Sequence, residues 1–73
     1  MWVYSSKYGP VYIKRHSNGL YHIIFDGDSL GGYHNPQQAL DDAVGGHTFT
    51  PSNGIELDEF GLPGDLSLWQ QMA

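Results

Sequence analysis

The chain has 73 residues, which suffices for one domain with a single hydrophobic core and leaves no room for two. It contains no cysteine, so neither a disulfide nor a thiolate metal site can stabilise it. Its eight acidic residues outnumber its three basic residues, and the formal net charge of −5 disfavours phosphate-rich partners such as nucleic acid.

Two turn signals predict a β-meander in the first half of the chain. Ser17-Asn18-Gly19 suits a three-residue hairpin loop with a left-handed glycine at its end, between strands at 11–16 and 20–25. The shorter loop, Asn18-Gly19, would mix polar and apolar residues on both faces of the sheet, and we therefore prefer the longer one. The preferred register gives one largely apolar face, the inner face, which carries Val11, Ile13, Tyr21, Ile23 and Phe25.

The opposite face of the meander, here called the outer face, is the predicted binding surface. Asp26-Gly27 predicts a type I′ turn into a third strand, which brings Leu30 to the inner face and Tyr33 to the outer face. One short helix cannot cover both faces, and large exposed apolar patches usually mark interaction sites. The alternative, that residues 55–69 fold over this face as a second core, stays open. The predicted partner-binding residues are Tyr12, Lys14, His16, Leu20, His22, Ile24 and Tyr33.

One short helix is predicted after the meander, at about residues 36–44. Asn35 suits the N-cap position, Pro36 the first helical position, and Gly45-Gly46 a left-handed C-terminal end. Gly32 is expected on the inner face, where its missing side chain would let the helix approach closely. An apolar stripe at helical spacing would pack on the sheet, formed by Ala39, Leu40, Ala43 and Val44.

The last third of the chain, residues 47–73, is irregular but too apolar for a disordered tail. We expect it to wrap back onto the core and to end in a short helical turn capped by Asp65. Residues 2–4 predict an edge strand, and Trp2 and Trp69 are expected in the core. The chain is therefore predicted to be one α+β domain, with an antiparallel three- to four-stranded β-meander at about 1–34 packed on one short helix.

Parts of the chain resemble known sequences. The segments Tyr33–Thr48 and Leu62–Trp69 resemble a group of short proteobacterial hypothetical proteins, which implies a self-contained domain and no particular activity. The segment Leu30–Leu40, with the two strands before it, resembles the three-stranded sheet and helix of AP2-type and integrase arm-type DNA-binding domains. That likeness implies a sheet laid in the major groove, yet the strands and helix here carry as many acidic as basic residues, at Lys14, Arg15, Asp41 and Asp42.

No pattern of catalytic or metal-ligating residues stands out in the sequence. The four histidines lack the spacing of zinc ligands, and His16 and His22 are expected to lie diagonally across the hairpin rather than opposite each other. No Gly-x-Ser-x-Gly motif occurs. We therefore predict no enzymatic activity, no cofactor and no metal.

The chain is predicted to be a small non-enzymatic protein-binding module that binds through the outer face, either as a homodimer or as a regulatory or inhibitory partner of another protein. The alternative is nucleic-acid binding by the aromatic and basic groups of the same face, which the net charge disfavours. All basic residues lie in 1–25 and all acidic residues in 26–73, which suggests a two-sided electrostatic surface. Without a signal-peptide pattern or a membrane-length apolar run, we expect a cytoplasmic protein of bacterial type with no membrane partner.

Overall fold

The computed structural model describes residues 1–72, in which one helix and two 3-10 turns pack against one face of an antiparallel sheet. The elements are β1 (Trp2–Ser6), β2 (Gly9–Arg15), β3 (Tyr21–Phe25), β4 (Asp28–Tyr33), α1 (Pro36–Gly45), the 3-10 turns Leu57–Glu59 and Leu66–Leu68, and β5 (Gln70–Gln71). The strand order β4-β3-β2-β1-β5 brings the two ends of the chain together at one edge of this sheet. Within residues 1–72, no helix has the length and apolar character needed to cross a membrane.

The β2–β3 hairpin has the predicted three-residue loop and the predicted register. Ile13 lies opposite Ile23, and the amide of His16 donates a hydrogen bond to the carbonyl of Leu20 across the loop, at 2.9 Å. Gly19 adopts the left-handed conformation with φ 82°, which only glycine reaches without strain. The inner face therefore collects the apolar residues that the pattern assigned to it.

The β3–β4 hairpin begins as predicted but then shifts by one residue. Asp26 and Gly27 both have positive φ, as a type I′ turn requires. Beyond the pair Ile24–Ser29 a β-bulge sets Leu30 and Gly31 against one residue of β3, so that every later residue of β4 changes face. The predicted faces of two residues are therefore wrong: Gly32 lies on the outer face and Tyr33 on the inner face.

Helix α1 starts and stops at the predicted signals. The side-chain oxygen of Asn35 accepts a hydrogen bond from the amide of Gln38 at 2.8 Å, and Gly46 ends the helix with φ 74°. Ala39, Leu40 and Ala43 are buried against the sheet. Val44, which the pattern placed in the same stripe, is 38% exposed, so the buried stripe is narrower than predicted.

The C-terminal segment packs on the inner face, beside the helix, and so the alternative of a second core on the outer face is wrong. Asp65 caps the predicted helical turn, since its side chain accepts the amide of Ser67 at 2.9 Å. The chain then pairs with β1 as β5, which makes the sheet wider than the three to four strands expected and leaves Trp2 and Val3 away from the edge. The residues that complete the core from this segment are Leu57, Phe60, Leu62 and Trp69.

Candidate protein-binding face

Six of the seven predicted binding residues lie together on the outer face. Alternation along β2 and β3 directs them away from the core, and the register sets Tyr12 opposite Ile24 and Lys14 opposite His22. Lys14 is exposed, and the other five are half-buried by one another and by adjacent strands. Tyr33 does not join them, because the β-bulge turns it to the inner face. The six are Tyr12, Lys14, His16, Leu20, His22 and Ile24.

Strand β1 adds apolar residues to this face that the sequence did not indicate. Val3 pairs with Tyr12 and therefore points outward, as the alternation Trp2-Val3-Tyr4 could have suggested once its register with β2 was known. Met1 lines a shallow depression of about 300 Å³ together with Tyr12, Lys14 and Ile24. The apolar part of the outer face thus spans three neighbouring strands.

The rings of His16 and His22 stack on this face, with centroids 4.2 Å apart and planes inclined by 22°. Their diagonal placement, which the sequence predicted, brings the rings into contact because both side chains lean across the hairpin. The Nδ1 atom of His22 is hydrogen-bonded to the Ser29 hydroxyl at 2.7 Å, whereas its Nε2 atom is buried without a hydrogen-bond partner. Gly32 lies beside this ring, and a Cβ there would be 3.2 Å from the His22 Cε1 atom.

Burial is the larger cause that lowers the pKa of His22, and the charge of neighbouring His16 lowers it further. Both effects favour the neutral ring. Stacked rings direct their nitrogens past each other rather than toward one point, so the pair does not form a chelate. Among residues 1–72, no cluster of three or more His, Cys, Asp or Glu residues could hold a metal ion.

Charged side chains are unevenly distributed over the two faces of the sheet, although of the three basic residues only Lys14 lies on the outer face. None of the outward positions of β1 to β4 carries a carboxylate, and Lys14 is the charged side chain among them. The acidic residues lie instead near the β3–β4 turn, on α1 and in the C-terminal segment. The outer face therefore combines an apolar centre with weak positive charge.

On the inner side, Tyr33 packs against the core and pairs with Tyr21. Burial raises its pKa to about 12, and a hydrogen bond to the Asp42 carboxylate and the charge of that group act in the same direction. All three effects favour the neutral hydroxyl of Tyr33. Tyr33 does not contribute to the outer face because the β-bulge turns it inward.

No family model matches the chain, and no curated protein and no solved structure matches it either. The resemblance to short proteobacterial proteins and the likeness to AP2-type and integrase arm-type domains therefore stay predictions.

Proposed function

We propose that the chain is a small non-enzymatic protein-binding module and that its outer face is the interface. One observation carries the proposal: helix α1 and the C-terminal segment both pack on the inner face, which leaves the outer face of a five-stranded sheet without a covering layer. Sheets of small domains usually bury one face and solvate the other with polar residues. Here the solvated face is apolar at its centre, at Met1, Val3, Tyr12, Leu20 and Ile24.

The composition of this centre suits protein recognition. Tyr12 lies between Val3 and Ile24 on the central strand of the sheet. Tyrosine is among the residues that contribute most to interfaces, because it offers a large apolar ring at a low entropic cost. Each Å² of apolar surface that a partner covers stabilises a complex by about 25 cal/mol before the costs of association.

Lys14 favours a different protein over a second copy of this chain as the partner. The residue lies on the central strand, so a symmetric face-to-face dimer would cover the Lys14 of both copies, and the outward positions of β1 to β4 supply no carboxylate to pair with either. Removing two like charges from water without a counter-charge is costly. A different protein with an apolar patch and a carboxylate opposite Lys14 fits better as the partner. A second copy of this chain is the alternative partner at the same face.

A photo-crosslinking amino acid at Ser5, an exposed outer-face position, tests the interface directly. In native lysate we expect one adduct of defined mass, which Leu20→Asp abolishes while the circular dichroism spectrum stays unchanged. The matched control Val44→Asp places the same charge at an exposed apolar position of α1 and should leave the adduct intact. Crosslinking of purified protein to itself would identify the homodimer.

An adduct that survives Leu20→Asp, or one that forms equally from a crosslinker at Gln38 on the exposed side of α1, would contradict this interface. Retardation of DNA or RNA at low salt, lost in Lys14→Gln, would support the nucleic-acid alternative instead, since even nonspecific binding is visible at low salt. The proposal includes a cytoplasmic setting, with which the absence of cysteine is compatible.

A further inference from the structure

We propose that the stacked pair His16–His22 is a proton-operated switch in the outer face. While both rings are neutral they lie stacked across the surface, and when His22 takes up a proton its ring leaves the stack. The protonation of His22 takes place in the free protein and needs no partner. Its consequence for binding rests on the proposed function of the outer face.

The neutral ring of His22 is well accommodated. A serine hydroxyl can donate or accept, so the contact between His22 Nδ1 and the Ser29 oxygen at 2.7 Å is satisfied in either tautomer. The stack with His16 covers one side of the ring, and Gly32 leaves room at its edge. The remaining ring nitrogen, Nε2, is enclosed and has no hydrogen-bond partner, which leaves one polar atom unsatisfied.

The protonated ring has no such accommodation. Both nitrogens then carry hydrogen, and while Nδ1–H can donate to Ser29, the Nε2–H group would be a charged donor enclosed without an acceptor. His22 as a whole is half-buried, so the cost falls on the enclosed Nε2–H group, which lacks the hydrogen bond that water would give it. Rotation of the side chain into water relieves this cost, and the stack with His16 is lost in the same movement.

The groups that face the pair offer no compensating negative charge. Strand β2 contributes Lys14 directly opposite His22 and neutral Tyr12, and the adjacent strand β4 contributes Ser29 and Gly32. Met1 and Lys14 line one depression at the same face, and the terminal amine of Met1 donates a hydrogen bond to the carbonyl of Met72 at 3.2 Å. Since no outward position of β1 to β4 is acidic, every charged neighbour opposes a second positive charge.

Departure of the ring changes the outer face in two ways. It uncovers the backbone at Gly32 and the nearby side chain of Leu20. A Cβ built at residue 32 would lie 3.2 Å from the His22 Cε1 atom and 3.3 Å from the Leu20 Cδ1 atom. The departure also adds a positive charge beside Lys14. The change of shape weakens binding of a partner that fits the flat apolar surface, and the added charge alone would attract a carboxylate opposite Lys14, so any dissociation below the pH at which His22 titrates follows from the lost apolar contact.

The test is an NMR titration of the histidine ring protons of the free protein between about pH 8 and about pH 4. We expect the His22 signals to titrate below the usual range of histidine, with the ring-to-ring contacts to His16 disappearing over the same pH interval. Ring-to-ring contacts that persist after His22 is protonated would overturn the switch.

Two variants separate the switch from simple loss of structure. His22→Phe keeps an aromatic ring that cannot be protonated, so its contacts to His16 should persist at every pH. Gly32→Ala places a Cβ at 3.2 Å from the His22 ring without backbone strain and should displace the ring at neutral pH, which moves the His22 pKa back toward its usual value. An unchanged pKa in a folded Gly32→Ala protein would contradict the role of the enclosed ring. These measurements need no partner. They can therefore contradict the switch while the crosslinking experiment supports the interface, and the crosslinking experiment can contradict the interface while the switch is observed.

Discussion

At the scale of single residues, His22 couples folding to pH. Its pKa is lowered in the folded chain from the ordinary 6.5, so on acidification the unfolded chain binds the proton first. The stability that His22 contributes is therefore complete above about pH 6.5 and is lost as the pH falls through the lowered value. Urea midpoints at about pH 7.5 and about pH 5 should fall more for the wild type than for His22→Phe. Equal losses in both proteins would contradict this linkage.

Tyr33 provides the corresponding test at high pH. Because its pKa is about 12 in the fold, the unfolded chain releases the proton first, and stability from the neutral hydroxyl is lost above about pH 10. The ultraviolet absorbance of phenolate should show one tyrosine ionising last. Tyr33→Phe should remove that late step, whereas Tyr8→Phe, at an exposed position, should not. Identical curves for the two variants would contradict the raised pKa of Tyr33.

At the scale of elements, Gly46 determines how α1 ends. Its φ of 74° lies in the left-handed region, and a Cβ there would meet the Asp58 carboxylate at 2.9 Å. Gly46→Ala should therefore lower the free energy of unfolding by about 1 kcal/mol or more, as measured by urea unfolding. The control is Gly64→Ala, where no atom lies within 4 Å of a built Cβ and φ is not positive. Equal stabilities for the two variants would show that the cap is not constrained as described.

Elements with local signals could be predicted from the sequence. The loop at Ser17-Asn18-Gly19, the turn at Asp26-Gly27 and the caps of α1 each depend on a few adjacent residues whose conformational preferences are strong. Their own residues supply the required conformations, since the Asn35 side chain caps α1 and Gly19, Gly27 and Gly46 adopt positive φ. The alternation of side chains along β2 and β3 also predicts the outer face correctly for six of the seven proposed binding residues.

Elements that depend on distant contacts could not be predicted. The β-bulge in β4 requires Gly31 at φ 152° and the ring of Tyr33 folded over it, which no local pattern specifies. Strand β5 has two residues and exists because it pairs with β1 from the other end of the chain. The face of the sheet on which the C-terminal segment packs could not be predicted for the same reason, since the apolar residues of this segment suit either face.

At the scale of the whole molecule, the fold separates a fully built core from an uncovered apolar face. Neighbouring residues of β3 illustrate the separation: Ile23 is completely buried on the inner face, and Ile24 is half-buried on the outer face. A domain of this size has only a few kcal/mol of net stability, so a charge introduced into its core should unfold it. A charge on a free face should have little effect on folding.

The most direct test is therefore the thermal unfolding of Ile24→Asp against that of Ile23→Asp, followed by circular dichroism. We expect Ile24→Asp to fold with a stability within about 1 kcal/mol of the wild type and to lose the outer-face crosslink. We expect Ile23→Asp to be unfolded. An Ile24→Asp protein as unfolded as Ile23→Asp would mean that the outer face is a second core, and would contradict the interface.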